Sequence, residues 1–256
     1  MYLEMDGCSV AYEIIGAEGE KVVLLHGWGC DRSLMRPVAD SLRNDHQVLL
    51  IDLPGHGESG RPPEPWGIPE YAHCIKQLLQ ALSWTPCAAV AHSFGCRIVT
   101  YLAAADPSFF SRIVMTGAAG IKPPASSESQ NKQSKYQSRK RIIQRFGRIP
   151  GFSKLSEKML ESLIQKYGSA DYKALDQEMR KTFVKVIGLD LTDLYPRIQQ
   201  STLLVWGESD TETPLWMGQK MEKLIPDAGL VIFENGSHFA YLEQIGRFNA
   251  ILKSFL

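Results

Sequence analysis

AAVAHSFGCRIVTYLAAA, residues 88–105, is the stretch on which the reading of this chain turns. Its first four residues are small and apolar, as in a short strand covered on both faces, and residues 96–105 form a helical pattern free of proline and glycine. Ala91-His92-Ser93-Phe94-Gly95 lies between them. A serine at such a strand–turn–helix junction has its hydroxyl lifted clear of the sheet and set at a helix N-terminus, where free N–H groups favour developing negative charge. The turn is crowded and needs small neighbours. Gly95 supplies one, and Ala91, still small, stands where G-x-S-x-G patterns have their first glycine.

A serine hydroxyl is a weak nucleophile until a base takes its proton, and an imidazole base needs a carboxylate to hold its tautomer. Both partners occur downstream, each just past an apolar run: Asp210 in WGESD after residues 202–206, and His238 in NGSHF after residues 230–233. Reactive groups gather at the carboxyl ends of strands in open α/β sheets, and the order Ser93, Asp210, His238 is one that such sheets use. Of His26, His46, His56, His73, His92 and His238, only the last follows a late strand at this distance; His92 reads as a packed elbow residue. Glu208 competes for the acid role, but Pro214, four residues past Asp210, marks the helix entry expected after the acid loop.

Acyl transfer also needs donors for an oxyanion. The backbone N–H of Phe94 is one candidate, and that of Trp28, in the LLHGWG turn at residues 24–29, is the other. The Trp28 ring, Phe239 beside the base and Arg97 one turn into the elbow helix are candidates for a substrate pocket. Plain packing is the alternative for Trp28. Arg97 either braces nearby loops or anchors a substrate carboxylate.

Outward from the elbow, runs at residues 10–15, 22–25, 48–51, 113–115, 203–206 and 230–233 read as further strands. Helical patterns separate them; residues 69–82 place Ile75, Leu78, Leu79 and Leu82 on one stripe behind Pro69. This alternation predicts an α/β chain with a mostly parallel sheet flanked by helices. It breaks at residues 122–194, where the polar, helix-poor run KPPASSESQNKQS precedes three helical patterns. The second carries Leu155, Met159, Leu160, Leu163 and Ile164 on one face, and the third Leu175, Met179, Phe183 and Val186. The expected organisation is a core of residues 1–119 and 195–256 with a helical cap, residues 120–194, inserted into it.

The cap opens on a basic run, residues 122–148: Lys122, Lys132, Lys135, Arg139, Lys140, Arg141, Arg145 and Arg148 against Glu128 alone. A solvated face is the plain reading, and a weak contact with an anionic substrate or a membrane surface is the functional one. The whole chain of 256 residues is balanced, 28 Lys and Arg against 28 Asp and Glu, which argues against a nucleic-acid partner. No apolar run nears the roughly 18 residues of a spanning helix. The opening MYLEMDGCSV lacks the features of a secretory signal, so the expected setting is cytoplasmic, without a transmembrane segment. Cys8, Cys30, Cys74, Cys87 and Cys96 show neither CxxC pairing nor zinc-ligand spacing, so reduced thiols and no metal are expected. GHGESG at residues 55–60 and GWG at 27–29 lack the form and the lysine of nucleotide loops; residues 52–60 read as a structural turn.

Taken together, HGWG at 26–29, DLPGHGESG at 52–60, AHSFG at 91–95, WGESDTETP at 206–214 and GSHF at 236–239 make the chain resemble the α/β-hydrolase superfamily almost end to end. Within it, the chain is similar to compact bacterial esterases and carbon–carbon bond hydrolases. The resemblance implies the α/β-hydrolase fold with a helical cap, an oxyanion donor from HGWG, the nucleophile Ser93, the acid Asp210, the base His238, and no cofactor. A serine nucleophile argues against the family's dehalogenases and epoxide hydrolases, which use aspartate. Phe239 stands where hydrolases of meta-cleavage products usually carry Trp, and Ala91 and Cys96 where glycine is common. The implied activity is hydrolysis of a small or medium-sized carboxylic ester through an acyl-enzyme. Carbon–carbon hydrolysis of vinylogous diketone acids and non-catalytic ligand binding are the alternatives.

Overall fold

A computed structural model describes residues 1–16, 18–124, 127–147, 149 and 152–256, with the side chains of residues 127–133 and 170 outside that description. Its strands are β1 (Tyr2–Met5), β2 (Cys8–Ile15), β3 (Glu20–Leu25), β4 (His46–Ile51), β5 (Cys87–His92), β6 (Phe110–Thr116), β7 (Thr202–Gly207) and β8 (Ala228–Phe233). They form one eight-stranded sheet in the order β1-β2-β4-β3-β5-β6-β7-β8. The strands from β4 onward in that order pair in parallel, while β1 and β2 add an antiparallel edge. The helices are α1 (Arg36–Leu42), α2 (Ile68–Ala81), α3 (Phe94–Ala105), α4 (Ser127–Phe146), α5 (Ser153–Tyr167), α6 (Ala170–Ala174), α7 (Gln177–Gly188), α8 (Leu215–Leu224), α9 (Ala240–Glu243) and α10 (Ile245–Phe255).

Successive strand side chains point to opposite faces, and here both faces are covered. Val23, Leu25, Ala89, Ala91, Ile113 and Met115 join a core with Ile75 and Leu78 of α2, Ile98 of α3 and Met221 of α8. Their neighbours Val22, Leu24, Ala88, Val90 and Val114 enter a second core with Leu42 of α1 and Leu252 of α10. That double burial is why the central strands read as unbroken apolar runs. Each Leu or Ile so buried contributes about 1.5–3 kcal/mol. The result is the expected α/β-hydrolase fold, with helices α4–α7 as the inserted helical region. Its first strand was not expected: β1 is four residues with an alternating, partly exposed pattern at the sheet edge, too short to stand out.

The chain divides into two compact units, Met1–Ile121 with Val184–Leu256, and Lys122–Phe183. In the second unit the polar run read as helix-poor is helical from Ser127 onward. Beyond its prolines that run holds Glu, Gln and Lys, which are good helix formers without an apolar stripe. Ile143, Leu163 and Ile164 are buried, and Arg180 grips Glu161 through Nη1 and Nη2 at 2.7 and 3.0 Å. The face read from Leu175 to Val186 is interrupted. The Asp176 carboxylate accepts the N–H groups of Glu178 and Met179, each at 3.0 Å, starting α7 at Gln177 and leaving Leu175 in the break after α6.

Of the basic run, Lys122, Lys135, Arg139, Arg141 and Arg145 are exposed and Lys140 is half-buried; Arg148 and the side chains of Lys132 and Glu128 lie outside the described residues. Among the described residues no helix is long and apolar enough to cross a membrane. None of the five cysteines is joined in a disulfide among the described residues.

Candidate active site

Ser93 falls between the last residue of β5 and the first of α3, with φ 47 and ψ −104. That backbone region costs a non-glycine residue about 1–3 kcal/mol and persists only where the surroundings impose it. Here they do. The Ser93 N–H donates to Thr116 O at 3.0 Å, the Gly95 N–H to His26 O at 3.1 Å, and the Ala119 N–H to Ser93 O at 3.3 Å. A Cβ on Gly95 would lie 2.7 Å from Leu25 O and 2.8 Å from Leu25 Cβ, so glycine is sterically required. Ala91 is fully buried, and the Cys96 thiol donates to its carbonyl at 3.2 Å. Phe94 opens α3, so its N–H has no acceptor within the helix.

Asp210 and His238 follow the adjacent strands β7 and β8. Their loops are laced together by the Glu208 N–H on Phe233 O at 3.0 Å and the Ser209 N–H on Gly236 O at 2.9 Å. His238 Nδ1 donates to Asp210 Oδ2 at 2.8 Å. The carboxylate is buried, and its Oδ1 accepts the N–H groups of Glu212 and Thr213, each at 2.9 Å. Burial alone would raise its pKa; the bond from His238 and the Thr213 N–H outweigh burial and hold it below the usual carboxylate range. Glu208 is exposed and accepts the Asn235 N–H at 3.1 Å.

A Cβ on Gly117 would lie 3.0 Å from His238 Nδ1, so the imidazole rests on the residue that follows Thr116, whose carbonyl holds the Ser93 N–H. The Ser93 backbone and the His238 imidazole thus both lie beside the carboxyl end of β6. No hydrogen bond joins Ser93 Oγ to His238 among the described residues, a contact that such sites often tighten only with substrate in place.

Trp28 and Phe94 also come together, their ring centroids 5.2 Å apart, with His56 4.8 Å from Trp28. Phe239 is half-buried, 5.4 Å from the His238 ring and 5.0 Å from that of His92. Arg97 is buried, and its Nη1 donates to Val186 O at 3.2 Å and Leu189 O at 2.9 Å, bracing the chain after α7 begins its last turn. Among the described residues no group of three or more His, Cys, Asp or Glu side chains is arranged to hold a metal.

Beneath the site lie two neutral histidines. His26 donates through Nδ1 to Gly27 O at 2.7 Å and accepts the Leu53 N–H on Nε2 at 2.9 Å, which fixes its tautomer and the HGWG turn. His92 sets Nδ1 against Thr116 Oγ1 at 2.9 Å, with its ring 4.7 Å from that of His238. Burial first, then a neighbouring histidine in each case, pushes both down to about 3. In the unfolded chain they titrate near 6.5, so acid favours unfolding: their stabilisation is full above about pH 6.5 and is lost as pH falls toward about 3. Between pH 7.5 and 5 the free energy of unfolding should drop by about 2–4 kcal/mol. Urea titrations at the two pH values measure it, and equal midpoints would refute this account.

Asp52 ties Arg32, in the segment after the HGWG turn, to the 52–60 loop. It is buried and ion-paired with Arg32, and its two oxygens accept the N–H groups of Arg32 at 2.7 Å and Glu58 at 2.9 Å. Removing the carboxylate as Asp52→Ala leaves those donors unmet, and a loss of about 3 kcal/mol is expected in chemical denaturation. Thr213 is a site neighbour that no sequence motif singled out. Its hydroxyl lies 2.8 Å from Asp210 Oδ2 and 3.2 Å from His238 Nδ1. The signal was a hydroxyl residue in the loop after β7, three places past Asp210.

Residues 21–244 match a family model described as alpha/beta hydrolase fold. A pimeloyl-[acyl-carrier protein] methyl ester esterase of Aliivibrio fischeri is 22% identical over 250 residues, spanning 93% of this chain and 94% of its own. A hydrolase from Pseudomonas aeruginosa matches in structure with a TM-score of 0.77 at 23% identity, covering 100% of this chain and 97% of that one. A meta-cleavage product hydrolase from Pseudomonas fluorescens matches with a TM-score of 0.73 at 20% identity, covering 100% and 96%. At these identities the structural likenesses speak to the fold.

Proposed function

The chain belongs to the α/β-hydrolase fold family, and on that premise we propose that it is a serine hydrolase that cleaves a small or medium-sized carboxylic ester without a cofactor. The observation that carries this reading is the 2.8 Å bond from His238 to the buried Asp210, set beside a serine held at φ 47. Ser93 Oγ attacks the ester carbonyl carbon while His238 Nε2 takes its proton, and Asp210 steadies the imidazolium. The backbone N–H groups of Phe94 and Trp28 receive the oxyanion. Collapse of the tetrahedral intermediate expels the alcohol, protonated by His238, and leaves the acyl group on Ser93. Water, deprotonated by the same imidazole, then releases the acid and restores the serine.

The test is turnover of p-nitrophenyl esters from acetate to decanoate, before and after stoichiometric modification by a fluorophosphonate. Hydrolysis that vanishes as the label appears on Ser93 supports the reading, and the preferred chain length sizes the acyl pocket. Hydrolysis that survives complete labelling of Ser93 sinks it. Turnover of a vinylogous diketone acid with negligible ester hydrolysis would instead favour carbon–carbon cleavage, an activity named for the Pseudomonas fluorescens protein. Labelling with no turnover of either class would favour a binding protein.

A second reading concerns the substrate. The Aliivibrio fischeri relative is named for a methyl ester on a carrier-bound acyl chain, and here Lys135, Arg139, Arg141 and Arg145 of α4 are exposed. A methyl ester on an acyl chain whose carrier is anionic would fit both facts. Its mark would be a kcat/KM for the carrier-borne methyl ester that falls with added salt while that for a free methyl ester does not.

A further inference from the structure

Asp210 is held unevenly. Two backbone N–H groups fix Oδ1, whereas Oδ2, the oxygen that faces His238, has among the described residues only side-chain donors. Backbone donors on one oxygen leave a carboxylate able to swing the other. The Thr213 hydroxyl closes that freedom, 2.8 Å from Oδ2 and 3.2 Å from His238 Nδ1. It has one proton. While Nδ1 donates to Asp210 it cannot accept, so the hydroxyl donates to Oδ2 and turns its lone pairs toward the Nδ1–H.

Thr213 is itself fixed at several points. Its N–H is bound to Asp210, and its carbonyl accepts the indole N–H of the fully buried Trp206 at 2.6 Å. Pro214 follows and restricts its backbone to extended conformations. The side chain is buried, so water does not compete for these contacts.

Resting on the assignment of Ser93, Asp210 and His238 made above, we propose that the Thr213 hydroxyl is a positioning group for the base. It holds Oδ2 in line with Nδ1 and sets a lone pair against the ring nitrogen as the imidazole becomes charged. Valine has the same shape and lacks the hydroxyl; serine keeps the hydroxyl and lacks the methyl group.

The test follows the rate at which Ser93 reacts with a fluorophosphonate, read by intact mass. In that reaction the Ser93 Oγ–P bond forms, fluoride leaves and His238 takes the hydroxyl proton, so the rate reports activation without needing the natural substrate. Thr213→Val should slow labelling about tenfold, and Thr213→Ser should stay within about twofold of the parent, with melting temperatures little changed. In an Asp210→Asn background, Thr213→Val should add no further loss, because the hydroxyl acts through the acid–base pair. Labelling of Thr213→Val at the parent's rate overturns the proposal. So does an equal loss in Thr213→Ser, or an equal loss in the Asp210→Asn background, since either assigns the effect to packing. A parent protein unlabelled at Ser93 refutes the underlying assignment itself, and the proposal with it.

Discussion

Ser93→Ala is expected to lower kcat for any accepted ester by about 10⁵-fold, to a residue of activity that the oxyanion donors and binding alone provide. The large effect follows from the chemistry assigned to one atom. With Oγ gone there is no acyl-enzyme, and His238 has no proton to take. A second variant separates chemistry from architecture. Ser93 holds φ 47 and ψ −104, a region that glycine occupies freely and serine does not. Ser93→Gly should therefore be as inactive as Ser93→Ala yet more stable than the parent, by about 1 kcal/mol or a rise of roughly 2–4 °C in Tm. Steady-state kinetics and a thermal melt on the same preparations check both halves. Retained turnover in either variant would remove Ser93 from the mechanism. A glycine variant less stable than the parent would show that the turn is not strained.

How much of this could be read beforehand depended on whether the cause was local. The central strands were legible because double burial leaves each an unbroken apolar run, and the elbow because a strand, a small-residue turn and a helix follow one another directly. β1 escaped because an edge strand of four residues with exposed side chains has no such run. The start of α4 escaped for the opposite reason: its residues favour helix individually but draw no apolar stripe. The places of Ser93, Asp210 and His238 just past strand ends were each legible from a short motif. What surrounds them was not, because it depends on residues meeting across the chain. The Thr213 hydroxyl meets His238 25 residues later, Asp52 meets Arg32 across 20, and Arg97 meets its carbonyls across 89 and 92. Such contacts exist only once the sheet has set the order of its strands.

The same uneven hold on Asp210 predicts what an amide would do there. In Asp210→Asn the side chain is nearly isosteric, but its two ends differ, and the fixed donors choose between them. The N–H groups of Glu212 and Thr213 converge on the Oδ1 position, each at 2.9 Å, and only the amide oxygen can accept them. The NH₂ group is thereby forced into the Oδ2 position, facing His238 Nδ1. A donor facing Nδ1 requires that nitrogen to accept, which puts the ring proton on Nε2, the nitrogen that in the proposed mechanism must take the Ser93 hydroxyl proton. The expected result is a fall of about 10⁴-fold in kcat with the fold retained, because every backbone donor keeps its acceptor. Glu208→Gln is the matched control and should leave kcat unchanged, since that exposed side chain accepts the Asn235 N–H and, among the described residues, touches neither Asp210 nor His238 through a hydrogen bond. Kinetics on a p-nitrophenyl ester with both variants decide the matter. If Asp210→Asn stays within about tenfold of the parent, the imidazole is oriented by something other than this carboxylate.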